Sequence, residues 1–576
     1  MSKEATNMSY FLKKTTPSKK GLYLQIYEGY TVPGKGRRNK SFKALGYVCD
    51  LVEQGIEDPI AYAQAEVDKL NQERKKNKEP EIGDSSASKN LGYFIIKALI
   101  DCLDIDDYAE AMCSKKAFRF NIAEFIRSMI YAQIVSPGSK HKAFEKVIPN
   151  LYGSATFSYD QILDGINYIG SNYEKFIELF NHQIEKKFGR NTDTVLFDCT
   201  NYYFEIDIPS EDKQKGPSKE NRNEPIIGQA LMLDTNQIPV AMKMYPGNES
   251  EKPLIRETIE DMKTRYNITG KTIQIADKGL NCARNIYSAV VEANDGYIFS
   301  KSVLGSNLNE AEKKWVLLEN EYNVWKNVYD ANGNILYRYK EETDDYEYHC
   351  KLNDEDKKET YFTVKEKRIV TFTPSLAKKR RAEILKEVDK AKTKTSIKAA
   401  CRENVGSCAK YLSFDDSGKK LHATIDEKAV NEALAFAGYN MLVTSEIKSS
   451  AREIYNAYHS LWRIEESFRI MKTYLEARPV YVSRRDSIYG HFLICYLSLT
   501  VLRLLELNIF EDRIPAAQIV EFIRDFTVTE ARDGSFINNS IKSETLNSVK
   551  KVLGLTKLTN LFLLKKEVDN ILGYEF

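Results

Sequence analysis

The nine cysteines include no Cys-x-x-Cys pair, and none stands at a ligand-like spacing from the six histidines. This argues against a zinc site and a disulfide framework, and for reduced thiols. Long apolar runs are also missing. The most apolar stretch, His491 to Leu505, is short for a bilayer and contains Arg503, so no membrane span is expected. The first residues, MSKEATNMSYFLKK, lack an apolar signal core; export is not expected and a cytoplasmic location is. A net charge of only +2, from 84 basic and 82 acidic residues, gives no chain-wide basic field. Any nucleic-acid contact must therefore come from local clustering. Internal repeats and low-complexity segments are absent as well.

At 576 residues the chain is too long for one hydrophobic core, so several domains are expected. Residues 1–86 read as a small β/α domain. Its strands, GLYLQIYEGY and KSFKALGYV, flank a turn with the basic tip Lys35-Gly-Arg-Arg-Asn-Lys40, and a polar helix tail and the linker Gly83-Asp-Ser-Ser-Ala-Ser88 follow. Residues 87–190 show apolar residues at three-to-four spacing, which predicts a helical domain broken at Ser136-Pro-Gly-Ser-Lys140. A tight turn among basic helices suits DNA binding, and a plain helical bundle explains the pattern about as well.

The period then changes. Thr194-Val-Leu-Phe-Asp198 predicts a buried strand ending in an acid, and Gln229 to Met244 predicts two strands joined at Asp234-Thr-Asn-Gln237. A helix follows from Pro253 to Arg265, then the strand Thr272-Ile-Gln-Ile-Ala-Asp277, then a helix from Asn281 to Glu292. Three strands, a helix, a strand and a helix give an α/β fold with a ribonuclease-H-like core, assigned to 191–302 and 438–485. A β-rich insertion over 303–437 ends in a basic helix, where Leu376 to Ala400 carries nine Lys/Arg against three Asp/Glu. Residues 486–576 read as a helical C-terminal region.

Between these signals lies Tyr458-His-Ser-Leu-Trp-Arg-Ile-Glu465-Glu-Ser-Phe-Arg-Ile-Met-Lys472. Tyr458, Glu465 and Lys472 recur every seventh residue, which stacks them on one side of a helix together with Leu461, Trp462 and Phe468. A carboxylate on an apolar stripe is costly unless paired or metal-bound. Asp198, Asp277 and Glu465 together fit the ligand set of a two-metal phosphodiester site: hard oxygen donors on adjacent strand ends and a facing helix. Each acid also has a plain reading. Asp198 and Asp277 suit ordinary strand ends, and Glu465 suits a surface pair with Arg469 worth about 0.2–0.5 kcal/mol. Glu466, the rival third acid, is rotated by about 100° from the stripe. Trp315 and Trp325 suit either core packing or stacking on an extruded base.

The segments Asp198-Cys-Thr-Asn-Tyr-Tyr-Phe-Glu, Asp277-Lys-Gly-Leu-Asn and Trp462-Arg-Ile-Glu465-Glu-Ser-Phe-Arg…Arg478-Pro-Val-Tyr resemble the DDE transposases of bacterial insertion sequences. The nearest likeness is to the insertion-sequence-four superfamily, with its Tyr-Arg-Glu-Lys signature around the third acid. The resemblance implies that Asp198, Asp277 and Glu465 are catalytic and hold two Mg²⁺ ions, or Mn²⁺. It implies that Tyr458 and Lys472 contact DNA. Leu461 stands where the signature has arginine, and Arg463 is the candidate replacement, about 160° further around the helix. It further implies binding to transposon terminal repeats and target DNA, end cleavage with strand transfer, a homodimer in the DNA complex and a nucleoid-associated bacterial protein. The rivals are a nuclease of the same fold without strand transfer, and a catalytically inactive DNA-binding descendant.

Overall fold

The computed structural model describes residues 6–32, 36–76, 87–113, 120–220, 223–265, 268–305, 308–317, 324–353, 355–395, 406–415, 422–540 and 542–576. Most of the expected linker at 83–88, and the last residues of the basic segment 376–400, lie outside them. The chain divides into two compact units, residues 1–86 with 530–535, and residues 87–529 with 536–576.

In the first unit, β1 (Thr6–Ser18), β2 (Gly21–Val32) and β3 (Gly36–Tyr47) form an antiparallel meander. Helix α1 (Pro59–Lys76) packs on it, and Leu24, Leu51 and Ala63 make a small core.

The second unit is built on a nine-stranded mixed sheet. Its strands are β4 (Thr194–Tyr203), β5 (Ile226–Leu233), β6 (Pro239–Pro246), β7 (Ile273–Ala276), β8 (Gly296–Lys301), β9 (Lys326–Tyr329), β10 (Ile335–Cys350), β11 (Thr360–Phe372) and β12 (Tyr439–Thr444). Their spatial order is β9-β10-β11-β12-β8-β7-β4-β5-β6. The first five in sequence lie in the order 3-2-1-4-5, with β4–β6 antiparallel and β7 and β8 parallel to β4. That is the ribonuclease-H-like arrangement. The predicted β insertion is not a separate layer. Its hairpin β10–β11 continues the same sheet because β12 pairs with β11 on one side and β8 on the other.

Alternation along the strands divides the interior in two. Leu196, Leu231 and Ile275 face a helical layer, while Val195, Phe197, Ala276 and Phe299 face the opposite side, with Leu254 and Ile259 of the helix Lys252–Arg265. The helical layer combines α2 (Phe94–Leu103), α3 (Ile122–Val135), α4 (Tyr159–Ser171) and α5 (Tyr173–Phe188) with a helix from the far end of the chain, Arg485–Leu504. The helices of 94–188 therefore share one core with the sheet and the C-terminal region. That C-terminal helix, extended to Ile509, is long and apolar enough to cross a membrane, contrary to its reading as a short segment. Within the fold it is a core helix: 83% of its apolar window is buried, and it is apolar all round because neighbours surround it.

The continuous helix expected from Tyr458 to Lys472 is broken. Residues Ala451–His459 form one helix, capped by Ser450, and Trp462–Arg469 form the next, passing into a π-turn at Ile470–Tyr474. The Tyr-Glu-Lys stack at seven-residue spacing is therefore not continuous. Leu461, Ile464, Phe468 and Met471 form the buried stripe, whereas Glu465 is exposed and Trp462 is half exposed. Glu465 thus carries no desolvation cost to be offset.

Candidate active site

Asp198 follows Leu196 by two residues on β4, and Asp277 follows Ile275 by two at the end of β7, so both project to the face of the helical layer. The β4–β7 parallel ladder runs through the pair Phe197 and Ala276, which makes Asp198 and Asp277 the next residues in register. Asp198 was expected at a strand end. It lies mid-strand, because β4 goes on pairing with β5 as far as Tyr203, and it is the parallel ladder that stops there. The helix Trp462–Arg469 crosses this face over β4, with Ile464 and Phe468 in the same core. The Tyr458 hydroxyl donates to Asp277 Oδ1 at 3.1 Å, tying the preceding helix to the second acid. Burial, then the charge of Asp277 and, more weakly, that of Glu465 push the Tyr458 phenol up, so Asp277 and Glu465 share its surroundings.

Asp198 accepts the Cys199 backbone N–H at 2.7 Å. Burial raises its carboxyl to about 6; Lys219 and the Cys199 N–H oppose the rise, and Glu251 and Asp277 add to it. Glu251, just before the helix Lys252–Arg265, accepts from the Tyr245 hydroxyl at 3.2 Å. Lys219 lies between the acids, 3.9 Å from Asp198 and 3.3 Å from Glu251. The Glu465 side chain has no ion pair or hydrogen bond to a described residue. Arg469, its expected i+4 partner, pairs with Glu466 at 3.4 Å instead.

Lys472 and Arg478 both bind Glu220, at 3.3 and 2.9 Å, and lie over the rings of Tyr202 and Tyr203. Arg463, the candidate replacement for the missing arginine, does not join them. It is buried and pairs with Glu466 at 3.2 Å and Asp512 at 2.6 Å. The tryptophans of the insertion are also committed: Lys340, buried, lies over the rings of both Trp315 and Trp325, and Arg338 lies over Trp325. Lys219, Glu220 and Arg478 escaped the sequence reading as participants. The first two sit in the long connection after β4, which has no periodicity to mark them.

Among the described residues, no three His, Cys, Asp or Glu side chains stand close enough to form a ready-made metal cluster. The donor set still suits a hard cation. Magnesium is commonly held by one or two carboxylates, with water and substrate phosphate completing its shell. Asp198 and Asp277, adjacent in register and electrostatically coupled, offer such a pair.

The sequence profile of the transposase DDE domain matches residues 308–501. The match supports a DDE transposase. It spans the insertion strands, Tyr458, Glu465 and Lys472, and stops short of Asp198 and Asp277. No curated protein matches the chain.

Proposed function

We propose that the protein is a DNA transposase that cuts at the ends of its own mobile element and joins them to target DNA. The observation that carries this reading is the Tyr458–Asp277 hydrogen bond. It links the segment bearing Glu465 to the adjacent strands bearing Asp198 and Asp277, on one face of a ribonuclease-H-like sheet. Asp198, Asp277 and Glu465 would hold two divalent cations, Mg²⁺ or Mn²⁺, which supply Lewis-acid stabilisation of charge on the reacting phosphate. Tyr458 orients the Asp277 carboxylate. Lys472 and Arg478 offer two cations to the DNA backbone beside the acids.

In the first reaction water attacks the phosphodiester at the element's end, the P–O bond to the 3′ oxygen breaks, and a 3′-hydroxyl is released. In the second, that hydroxyl attacks a target phosphodiester and displaces a 3′ oxygen there. Second-strand cleavage by a hairpin, and a homodimer holding two ends in the bacterial cytoplasm, complete the proposal.

The test uses labelled terminal-repeat duplex and a target plasmid with Mg²⁺. Cleavage and strand transfer by the wild type are expected. Asp198→Ala, Asp277→Ala and Glu465→Ala should each abolish both, with end binding retained. Cleavage without joining would leave a nuclease, and binding with no cleavage under Mg²⁺ or Mn²⁺ would leave an inactive descendant.

A further inference from the structure

The connection between β4 and β5 places two consecutive residues of opposite charge on the two halves of the proposed site. Lys219 sits between Asp198 and Glu251 and also donates to the Cys199 carbonyl. Glu220 spreads its two carboxylate oxygens over Lys472 Nζ and Arg478 Nη2. The backbone holds them there: the Lys219 N–H donates to Asn201 Oδ1 at 3.2 Å, and Asn201 Nδ2 donates to the Pro217 carbonyl at 3.1 Å. Asn201 is itself buried in β4. Glu220, Lys472 and Arg478 are each less than a third exposed, which weakens solvent screening of their contacts.

A carboxylate clamped by a lysine and an arginine presents the same chemistry as a backbone phosphate on those groups. An ammonium between two carboxylates presents the same chemistry as a bound cation. We propose that Lys219-Glu220 is an internal surrogate for the metal–phosphate pair. It balances the charge of the site whenever neither metal nor DNA is bound, and entry of DNA must expel Glu220 from Lys472 and Arg478. This rests on the transposase reading for the identity of the ligand. When a competing internal contact dominates, the apparent affinity falls by the fraction of molecules in which the site is free. Removing the competitor should restore it.

The experiment measures binding of a fluorescent terminal-repeat duplex, and of an unrelated duplex of equal length, in EDTA at fixed salt. Glu220→Gln should tighten both by about fivefold, because the contact concerns phosphate and carries no sequence information. The gain should vanish in a Lys472→Met, Arg478→Met background. Glu220→Asp, with a shorter reach, should give a smaller gain, and it decides the matter if Glu220→Gln does not fold. In calorimetric titration with Mg²⁺ alone, Lys219→Met should bind the ion more tightly than wild type. Unchanged or weaker DNA binding by folded Glu220 variants, or a gain that survives without Lys472 and Arg478, overturns the surrogate and leaves the transposase reading standing. A wild type that binds neither duplex overturns that reading as well.

Discussion

Glu465 and Glu466 are neighbours on one helix, yet their surroundings are opposite. Glu465 is exposed on the helix over β4, with no cation paired to it among the described residues. Glu466 is held by Arg463, Arg469 and Arg503, the last fully buried and bound also to Glu506 at 2.6 Å and to the Arg463 carbonyl and Ser467 hydroxyl. The same contrast holds for the regions they belong to. Around Asp198, Asp277, Glu251 and Glu465 the acids gather with Lys219 as the described cation in contact with Asp198 and Glu251, whereas in the helical layer acids and arginines are matched and hydrogen-bonded. Matched charge fixes structure. Unmatched charge gathered at one site asks for a ligand.

The sharpest way to break this contrast is to neutralise each glutamate in turn. Glu465→Gln should lower end cleavage by about a thousandfold or more, roughly 4 kcal/mol of activation free energy. It should leave the urea midpoint unchanged, since no contact is lost. An appreciable loss of stability with cleavage retained would reverse the assignment. Glu466→Gln should do the opposite. It leaves Arg463 and Arg503 short of a partner and should destabilise the fold by about 3 kcal/mol, measured by denaturation. Cleavage per folded molecule should stay close to wild type.

The strands that carry Asp198 and Asp277 were readable from sequence because short apolar runs lead up to both acids, a local pattern, whereas Glu465 was singled out by an apolar stripe that the structure puts elsewhere on its helix. The strand pair around Asp234–Gln237 was readable for the same reason, with Gln237 adopting the left-handed conformation of the turn. What escaped depended on distant partners. Arg463 reads by local pattern as a candidate DNA contact, and its pair with Asp512, 49 residues further along the chain, has no local signal. The break at Ser460–Leu461 carries no proline or glycine to announce it. Trp462 was placed on the stripe by its spacing along one continuous helix, but the turn between the two helices leaves it half exposed, over Arg463. The hairpin β10–β11 looks like an independent insertion until β12, which begins 67 positions after β11 ends, docks against it and joins it to the main sheet.

One group in the helical layer departs from the rule of matched charge, and it gives the smallest of the expected effects. Lys140 is buried with no carboxylate partner among the described residues. Its Nζ donates to His491 Nδ1 at 3.2 Å, while His491 Nε2 donates to the Ala477 carbonyl at 2.9 Å. Burial lowers the lysine from its usual 10.5 to about 8. Burial, with Lys140 adding to it, lowers the histidine to about 3, so the ring stays neutral and accepts. A lysine whose folded value is depressed destabilises the fold fully below about pH 8, where it is charged in both states, and progressively less as pH rises toward 10.5. Lys140→Met should therefore stabilise the protein at pH 7, by about 2 kcal/mol once the lost hydrogen bond is set against the relieved desolvation. That advantage should shrink steadily between pH 8 and pH 10, followed by urea denaturation at each pH. A destabilised variant with no pH dependence would mean that Lys140 has an acidic partner after all, and that charge in the helical layer is matched throughout.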